Sequence, residues 1–172
     1  MTRLAIACAF FFLSFHVTAQ NYFSCDFENG IPTDFTLIDY DGNTPSTSMK
    51  KAGFDVGIPW ITTTLASDKE NTIACSTSWY TPAGTSDDWL ITPEITLSGS
   101  NPELSFHAMA SDKKHSDGFV VYVAEGENYD KASFDMDSPL LLVANEASEW
   151  TEHVVSLSKY AGKTIRLAFV NN

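Results

Sequence analysis

Apolar side chains recur at every second position in parts of this chain, and this spacing restricts the fold more than any other feature. The pattern is clearest over residues 104–110 and 165–169, and it is typical of β-strands with one buried face. Residues 119–124 are apolar throughout and rich in β-branched side chains, which favours a central strand. Further candidate strands are residues 22–28, 35–40, 60–66, 72–78, 89–97, 139–144 and 150–157. The sequence therefore predicts about ten short strands.

Turn-forming residues separate these candidate strands. Clusters rich in Gly, Asn, Asp and Ser occur at residues 28–30, 41–43, 98–102, 117–118 and 125–126, and such clusters mark tight turns. No helical periodicity extends over a dozen residues of the sequence, and the best helical candidate is a single turn at residues 158–161, stopped by Gly162. Short strands joined by regular turns predict an all-β sandwich or barrel.

The N-terminal residues have the form of an export signal. Arg3 precedes an apolar run of about fourteen residues that ends at Val17, and Thr18 and Ala19 follow. A membrane-spanning helix needs about 20 apolar residues, which is longer than this run. We expect residues 1–19 to be a signal peptide cleaved after Ala19, and residues 20–172 to form one domain with no later membrane insertion. The expected location is secreted or cell-surface.

The charge of the mature chain excludes one class of partner. Cleavage would leave 153 of the 172 residues, in which nine Lys and Arg face 22 Asp and Glu for a net charge of −13. A strongly acidic protein is repelled by phosphate backbones and anionic membrane surfaces, so we expect no nucleic-acid function. Surplus carboxylates suit solubility, and they also suit hard cations such as calcium. Aromatic residues make up 13% of the chain, which favours a packed core over disorder.

Two cysteines, Cys25 and Cys75, remain after cleavage. Export permits a disulfide between them, and a bridge would close a 50-residue loop and stabilise the fold by roughly 3–4 kcal/mol. The sequence does not show whether they lie close enough to pair. It has no Cys-x-x-Cys motif and no Cys/His cluster, which argues against a zinc site.

Several short motifs occur in one order along the mature chain. Residues 25–32 read CDFENGIP, residues 37–42 read LIDYDG and residues 86–93 read SDDWLITP; a Leu-x-Phe strand, a Val-x-Val strand, Trp150 and LSKYAGK at residues 157–163 follow. Together they resemble the cleaved-adhesin, or choice-of-anchor J, domains of Bacteroidetes surface proteins. The most specific match is at residues 87–93, which read DDWLITP as in the family.

This resemblance implies a jelly-roll β-sandwich related to MAM and carbohydrate-binding-module folds. It also implies attachment to adhesins, haemagglutinins or secreted peptidases, and no enzymatic activity in the domain itself. The family continues into a further strand that carries Asp residues. Because this sequence stops at Asn172, directly after an apolar strand, we expect a domain that lacks its last C-terminal strand.

The candidate metal ligands are Glu28, Asp87 and Asp88. The resemblance implies structural calcium near the Glu of the FE motif and in loops beside the sandwich edge, and calcium takes six to eight oxygen ligands. The alternative is that Asp88 caps a turn and Glu28 is solvated. The run Asp39-x-Asp41-Gly-Asn is similar to the start of an EF-hand loop, but no Glu stands at the twelfth position and no helices are predicted beside it.

Exposed aromatic side chains are the candidate ligand contacts. Aromatic rings offer a large flat surface at a low entropic cost, which suits the apolar face of a sugar. Six aromatic residues are candidates for this role: Trp60, Trp79, Tyr80, Trp89, Tyr129 and Trp150. Trp89 and Trp150 lie in strand patterns, which favours core packing. Trp79 and Tyr80 stand next to a loop and are the predicted ligand-binding pair.

The sequence selects no catalytic residues. None of the mature histidines, His107, His115 and His153, adjoins a nucleophile motif. Carboxylates are numerous, but nothing selects a glycosidase pair among them. We therefore expect a non-catalytic, adhesin-type module that is stabilised by calcium and binds a host or matrix protein or glycan. The alternatives are a passive accessory domain of a larger secreted peptidase or other hydrolase and, less well supported, a carbohydrate-active enzyme.

Overall fold

The computed structural model describes residues 20–65 and 68–172. The predicted signal peptide, residues 1–19, lies outside the described residues. The described part of the chain contains ten strands, one short α-helix and two short 3-10 helices. They are β1 Thr36–Asp39, α1 Thr47–Ala52, β2 Ile61–Leu65, β3 Asp68–Cys75, β4 Asp88–Ile91, β5 Ile95–Thr96, β6 Glu103–Ala108, β7 Phe119–Glu125, the 3-10 helix Lys131–Ser133, β8 Leu141–Val143, β9 Thr151–Ser156, the 3-10 helix Ser158–Tyr160 and β10 Thr164–Asn171.

The strands form one large antiparallel sheet and two separate ladders. The large sheet has the order β1-β4-β10-β7-β8, with β5 also paired to β10, and the two ladders are β2-β3 and β6-β9. Phe106 of β6 contacts Phe119 of β7 and Phe169 of β10 with ring centroids 5.8 and 5.1 Å apart. Asn171 of β10 donates a hydrogen bond to Ser76, just after β3. Both ladders therefore contact the large sheet, and the predicted all-β sandwich is confirmed.

The core lies on both faces of the large sheet, because alternate residues of β10 belong to different clusters: Ala168 and Val170 to one, Ile165 and Leu167 to the other. One cluster is centred on Trp89, which is fully buried and stacks on Tyr122 at 5.6 Å. The second cluster contains Ile165 and Leu167 together with Leu97. This two-sided burial explains why β10 is buried along most of its length, whereas β6 and β9 alternate strictly between exposed and half-buried residues.

Three local predictions differ from the structure. The single strand predicted over residues 89–97 is two strands, β4 and β5, because Pro93 between them has no N–H to donate to a ladder. Residues 22–28 form no strand, because Phe27 has a φ of 60°, which interrupts an extended backbone. Helix α1 was not predicted, because its six residues include none that is buried and so show no apolar stripe. Its signals are local: Ser46 caps its start and Gly53, with a φ of 113°, ends it. The predicted turn near residues 158–161 is confirmed as a 3-10 helix.

Candidate metal centre

Three carboxylates converge where β1 ends and β4 begins. Asp39 is the last residue of β1 and stands directly opposite Asp88, the first residue of β4, in the antiparallel pair. Opposed residues in such a pair point to the same side of the sheet. Asp41, in the turn after β1, completes a group in which one carboxylate oxygen of each residue lies within 4.8 Å of the others.

The turn after β1 holds two of these side chains in place. Asp39 Oδ1 accepts hydrogen bonds from the backbone N–H groups of Asp41 and Gly42 at 3.1 and 2.7 Å. Asp41 Oδ1 accepts from the N–H of Asn43 at 2.6 Å, and its Oδ2 accepts from the N–H of Asp87 at 2.7 Å. Short polar side chains fold the backbone of turns in this way. The last bond ties the turn to the segment that leads into β4.

Asp88 is the buried member of the group, with 4% of its surface exposed. Its Oδ2 accepts hydrogen bonds from the hydroxyls of Tyr80 at 2.8 Å, Ser86 at 3.1 Å and Ser76 at 3.4 Å. Burial raises the pKa of Asp88 to about 6, the Tyr80 hydroxyl opposes this change, and the charge of Asp41 adds to it. Burial also raises the pKa of the Tyr80 phenol, which therefore remains a hydrogen-bond donor.

The chemistry of this group suits a hard divalent cation. All three side chains offer oxygen, the ligand atom that calcium prefers, and a cation beside Asp88 would favour the ionised form that burial disfavours. A cavity of about 10 Å³ is lined by the three carboxylates together with Asn43, Tyr80 and neighbouring residues. That volume is close to the space of one water molecule. Asp39, Asp41 and Asp88 thus fit a calcium ion, whose remaining ligands would be carbonyl or water oxygens.

Comparison with known proteins places this fold among adhesin domains. No protein-family model matches the chain, and no curated protein matches it. The K3 cleaved adhesin domain of Lys-gingipain from Porphyromonas gingivalis W83 is similar at a TM-score of 0.58 and 27% identity, covering 85% of this chain and 84% of that one. The chain therefore resembles a cleaved adhesin domain in fold and, at 27% identity, in sequence.

Two further cleaved adhesin domains share the fold. The K1 domain of Lys-gingipain from the same organism has a TM-score of 0.62 and 24% identity, covering 85% of each chain. The K2 domain of Lys-gingipain has a TM-score of 0.59 and 17% identity, covering 87% of this chain and 90% of that one. These neighbours are adhesin domains rather than catalytic ones. Within the described residues of this chain, no helix is long and apolar enough to cross a membrane.

Of the three predicted metal ligands, the structure brings only Asp88 into the acidic group. The carboxylate of Asp87 instead accepts a hydrogen bond from Trp89 Nε1 at 2.6 Å and forms an ion pair with Lys131. Glu28 accepts a hydrogen bond from the backbone N–H of Thr72 at 3.2 Å. Asp39 and Asp41 take the other two places, and the run Asp39-x-Asp41-Gly-Asn, which lacks the rest of an EF-hand loop, was their signal in the sequence.

The structure separates the predicted aromatic pair. Trp79 is 60% exposed, but Tyr80 is 7% exposed and its hydroxyl faces Asp88. The expectation that both rings are exposed is therefore wrong for Tyr80, because its phenol serves the buried carboxylate. Trp89 lies in the core as predicted, whereas Trp150, also predicted to be buried, is 42% exposed because it precedes β9 rather than lying within it. Tyr129 is 47% exposed.

Cys25 and Cys75 are both free thiols in the structure, and each is half-buried. Cys25 lines a shallow pocket of the N-terminal segment with Phe27 and Pro32. Cys75 ends β3 and donates a weak hydrogen bond to the carbonyl of Ser76. Burial, and secondarily the charge of Asp117, raises the pKa of the Cys75 thiol to about 11.

The histidines occupy three separate places. His107 lies on the exposed face of β6. His115 is hydrogen-bonded to Asp112 in an exposed turn. His153 Nε2 lies 2.7 Å from Glu146 Oε2 and its ring stacks on Phe106. The His153–Glu146 contact ties β9 to the loop before it, which is a structural role.

Proposed function

We propose that this domain is an adhesin-type accessory module, secreted or at the cell surface, which binds a host or matrix protein or glycan without catalysing a reaction. The observation that carries this proposal is the match to cleaved adhesin domains of Lys-gingipain over about 85% of both chains. Accessory modules of this kind supply binding, and the chemistry belongs to other domains. A fold alone does not imply a function, so the acidic group and the exposed Trp79 also bear on the proposal.

We propose calcium as the structural cofactor of the domain. The support is the convergence of Asp39, Asp41 and Asp88 at one end of the large sheet. A cation there would join β1 to β4 and to the turn between residues 40 and 43. It would also lie beneath Tyr80, whose neighbour Trp79 is exposed. Calcium would thereby hold the segment that carries the candidate ligand contact.

Trp79 is the proposed contact with the ligand. Its indole is exposed, while its backbone is fixed: its N–H donates to Thr77 Oγ1 at 3.1 Å, and its carbonyl accepts from the N–H of Ser46 at 2.9 Å. A rigidly held aromatic ring presents a large contact surface with little loss of conformational entropy. Such rings dominate the binding energy of many interfaces.

Binding of the purified protein to immobilised matrix proteins and to a glycan array tests this function. We expect saturable binding to at least one of them, weakened at least about tenfold by Trp79→Ala. The melting temperature of this variant should remain nearly unchanged, because substitutions at exposed positions change stability by less than about 0.5 kcal/mol. Trp150→Ala removes a half-exposed tryptophan elsewhere and is the matched control. Absence of saturable binding to any of these ligands would instead favour the passive accessory domain.

A further inference from the structure

Trp79 lies between two segments of the chain that carry exposed lysines. Its carbonyl contacts Ser46, the residue that caps α1. On the other side, the hydroxyl of Ser78 donates a hydrogen bond of 2.7 Å to Asp117, in the loop before β7. The backbone around Trp79 is therefore tied to helix α1 and, through Ser78 and Asp117, to the loop that contains the turn at residues 112–115.

The two flanking segments concentrate the positive charge of an acidic chain. Lys50 and Lys51 lie in the last turn of α1, and Lys113 and Lys114 lie in the turn of the loop. They are four of the nine Lys and Arg in residues 20–172, which carry a net charge of −13. All four are exposed. Exposed ammonium groups attract the anionic groups of a ligand, which the acidic remainder of the surface repels.

Three carboxylates, those of Asp55, Asp112 and Asp117, lie in or beside the same segments. Lys50 Nζ pairs with Asp55 Oδ1 at 3.4 Å, and Asp112 Oδ2 lies 2.8 Å from His115 Nδ1. Asp117 accepts the hydroxyl of Ser78. Within residues 20–65 and 68–172, no carboxylate lies within ion-pair distance of Lys51, Lys113 or Lys114. Three ammonium groups are therefore available to a ligand.

We propose that Trp79, Lys51, Lys113 and Lys114 form a binding site for an acidic glycan that carries carboxylate or sulfate groups. This inference rests on the proposed function and specifies the class of ligand. A sugar ring would stack on the indole, and its acidic substituents would pair with the ammonium groups on either side. The three residues from Asp117 to Lys114 span at most roughly 10 Å, which keeps the lysines near a ligand seated on Trp79.

The form of this surface favours a glycan over an acidic peptide. Acidic peptide motifs are recognised by clusters of Arg, whereas this surface carries lysines beside a single exposed ring. An exposed aromatic ring between two segments that carry lysines matches a polymer of rings with repeated acidic groups. The surface is thus suited to an internal segment of such a polymer.

The inference is tested by affinity electrophoresis of the purified protein against a polyuronate, a sulfated polysaccharide and neutral dextran. We expect retardation by one or both acidic polymers and none by dextran, with binding that weakens as salt rises. The Lys113→Ala/Lys114→Ala double variant and Trp79→Ala should each weaken binding about tenfold or more. Lys69→Ala/Lys159→Ala removes the same charge from exposed positions elsewhere and should change binding less than about twofold, since these lysines lie outside the proposed site.

Other results would overturn the inference while leaving the proposed function intact. If the two double variants weaken binding equally, binding depends on the net charge of the protein and not on the positions of Lys113 and Lys114. Equal retardation by dextran would mean that the acidic groups are not recognised. Binding to polyglutamate that depends on Lys113 and Lys114, with no binding to either acidic polysaccharide, would assign the surface to acidic peptides. The proposed function fails separately, when no matrix protein or glycan binds at all.

Discussion

The phenol of Tyr80 donates a hydrogen bond of 2.8 Å to Oδ2 of Asp88, and both side chains are buried. The same oxygen accepts the hydroxyls of Ser86 and Ser76. Three hydroxyls thus replace the water that this carboxylate loses on folding. The contact also joins the segment before Trp89 to the base of the Trp79 loop, so that the candidate metal centre and the proposed ligand surface share one support.

Replacement of Tyr80 by Phe should destabilise the domain. The change removes one of three donors to a buried carboxylate, and loss of a hydrogen bond to a charged group costs about 1–3 kcal/mol. The free energy of unfolding, measured by urea denaturation, should fall by that amount. Tyr129→Phe is the matched control, because Tyr129 is exposed and its change should stay within about 0.5 kcal/mol. Equal effects of the two substitutions would contradict the assigned role of Tyr80.

Asp88 should make the calcium-free domain sensitive to pH. Its pKa rises from 3.8 to about 6 on folding, so between these values the folded state keeps a proton that the unfolded state has lost. In chelator, the free energy of unfolding should therefore fall by up to about 3 kcal/mol as the pH rises from about 4 to 6. Above about pH 6 it should level off. Asp88→Asn should flatten this dependence in denaturation curves at pH 4.5, 5.5 and 7. An unchanged slope in the variant would assign the effect to other groups.

The sequence predicts the strands of this domain better than it predicts the site. Alternation identified β6, because burial of one face imposes a period of two. The apolar residues at 165, 167 and 169 identified β10, although both of its faces are buried. The grouping of Asp39 with Asp88 depends on the β1-β4 register, a long-range contact that no local pattern encodes. The burial of Tyr80 beside exposed Trp79 has the same origin, since the buried carboxylate that binds Tyr80 comes from another strand.

Cys75 should react slowly with alkylating reagents in the folded protein. Its thiol pKa rises from 9.0 to about 11, and only the thiolate is nucleophilic. At pH 8 this lowers the thiolate fraction on the order of 100-fold. Iodoacetamide labelling of a Cys25→Ser variant, followed by mass spectrometry, should be slower than labelling of the unfolded chain by that factor or more. Equal rates would contradict the burial of the thiol, and wild-type protein without any reactive thiol would indicate a Cys25–Cys75 disulfide.

Calcium should stabilise the domain through Asp39, Asp41 and Asp88. A ligand that binds only the folded state stabilises it by about 2.7 kcal/mol at 100 times its dissociation constant. We expect calcium to raise the melting temperature above that in chelator, and Asp88→Asn or Asp39→Asn to abolish the increase, because each removes a converging carboxylate. Glu28→Gln is the informative control. Glu28 bonds to Thr72, four residues before Ser76 along the chain, which places it roughly 13 Å along the strand from the residue that contacts Asp88. Glu28→Gln should therefore keep the calcium-induced increase in melting temperature. If Glu28→Gln loses this increase while Asp39→Asn keeps it, the ligand set predicted from the sequence is favoured over the one seen in the structure.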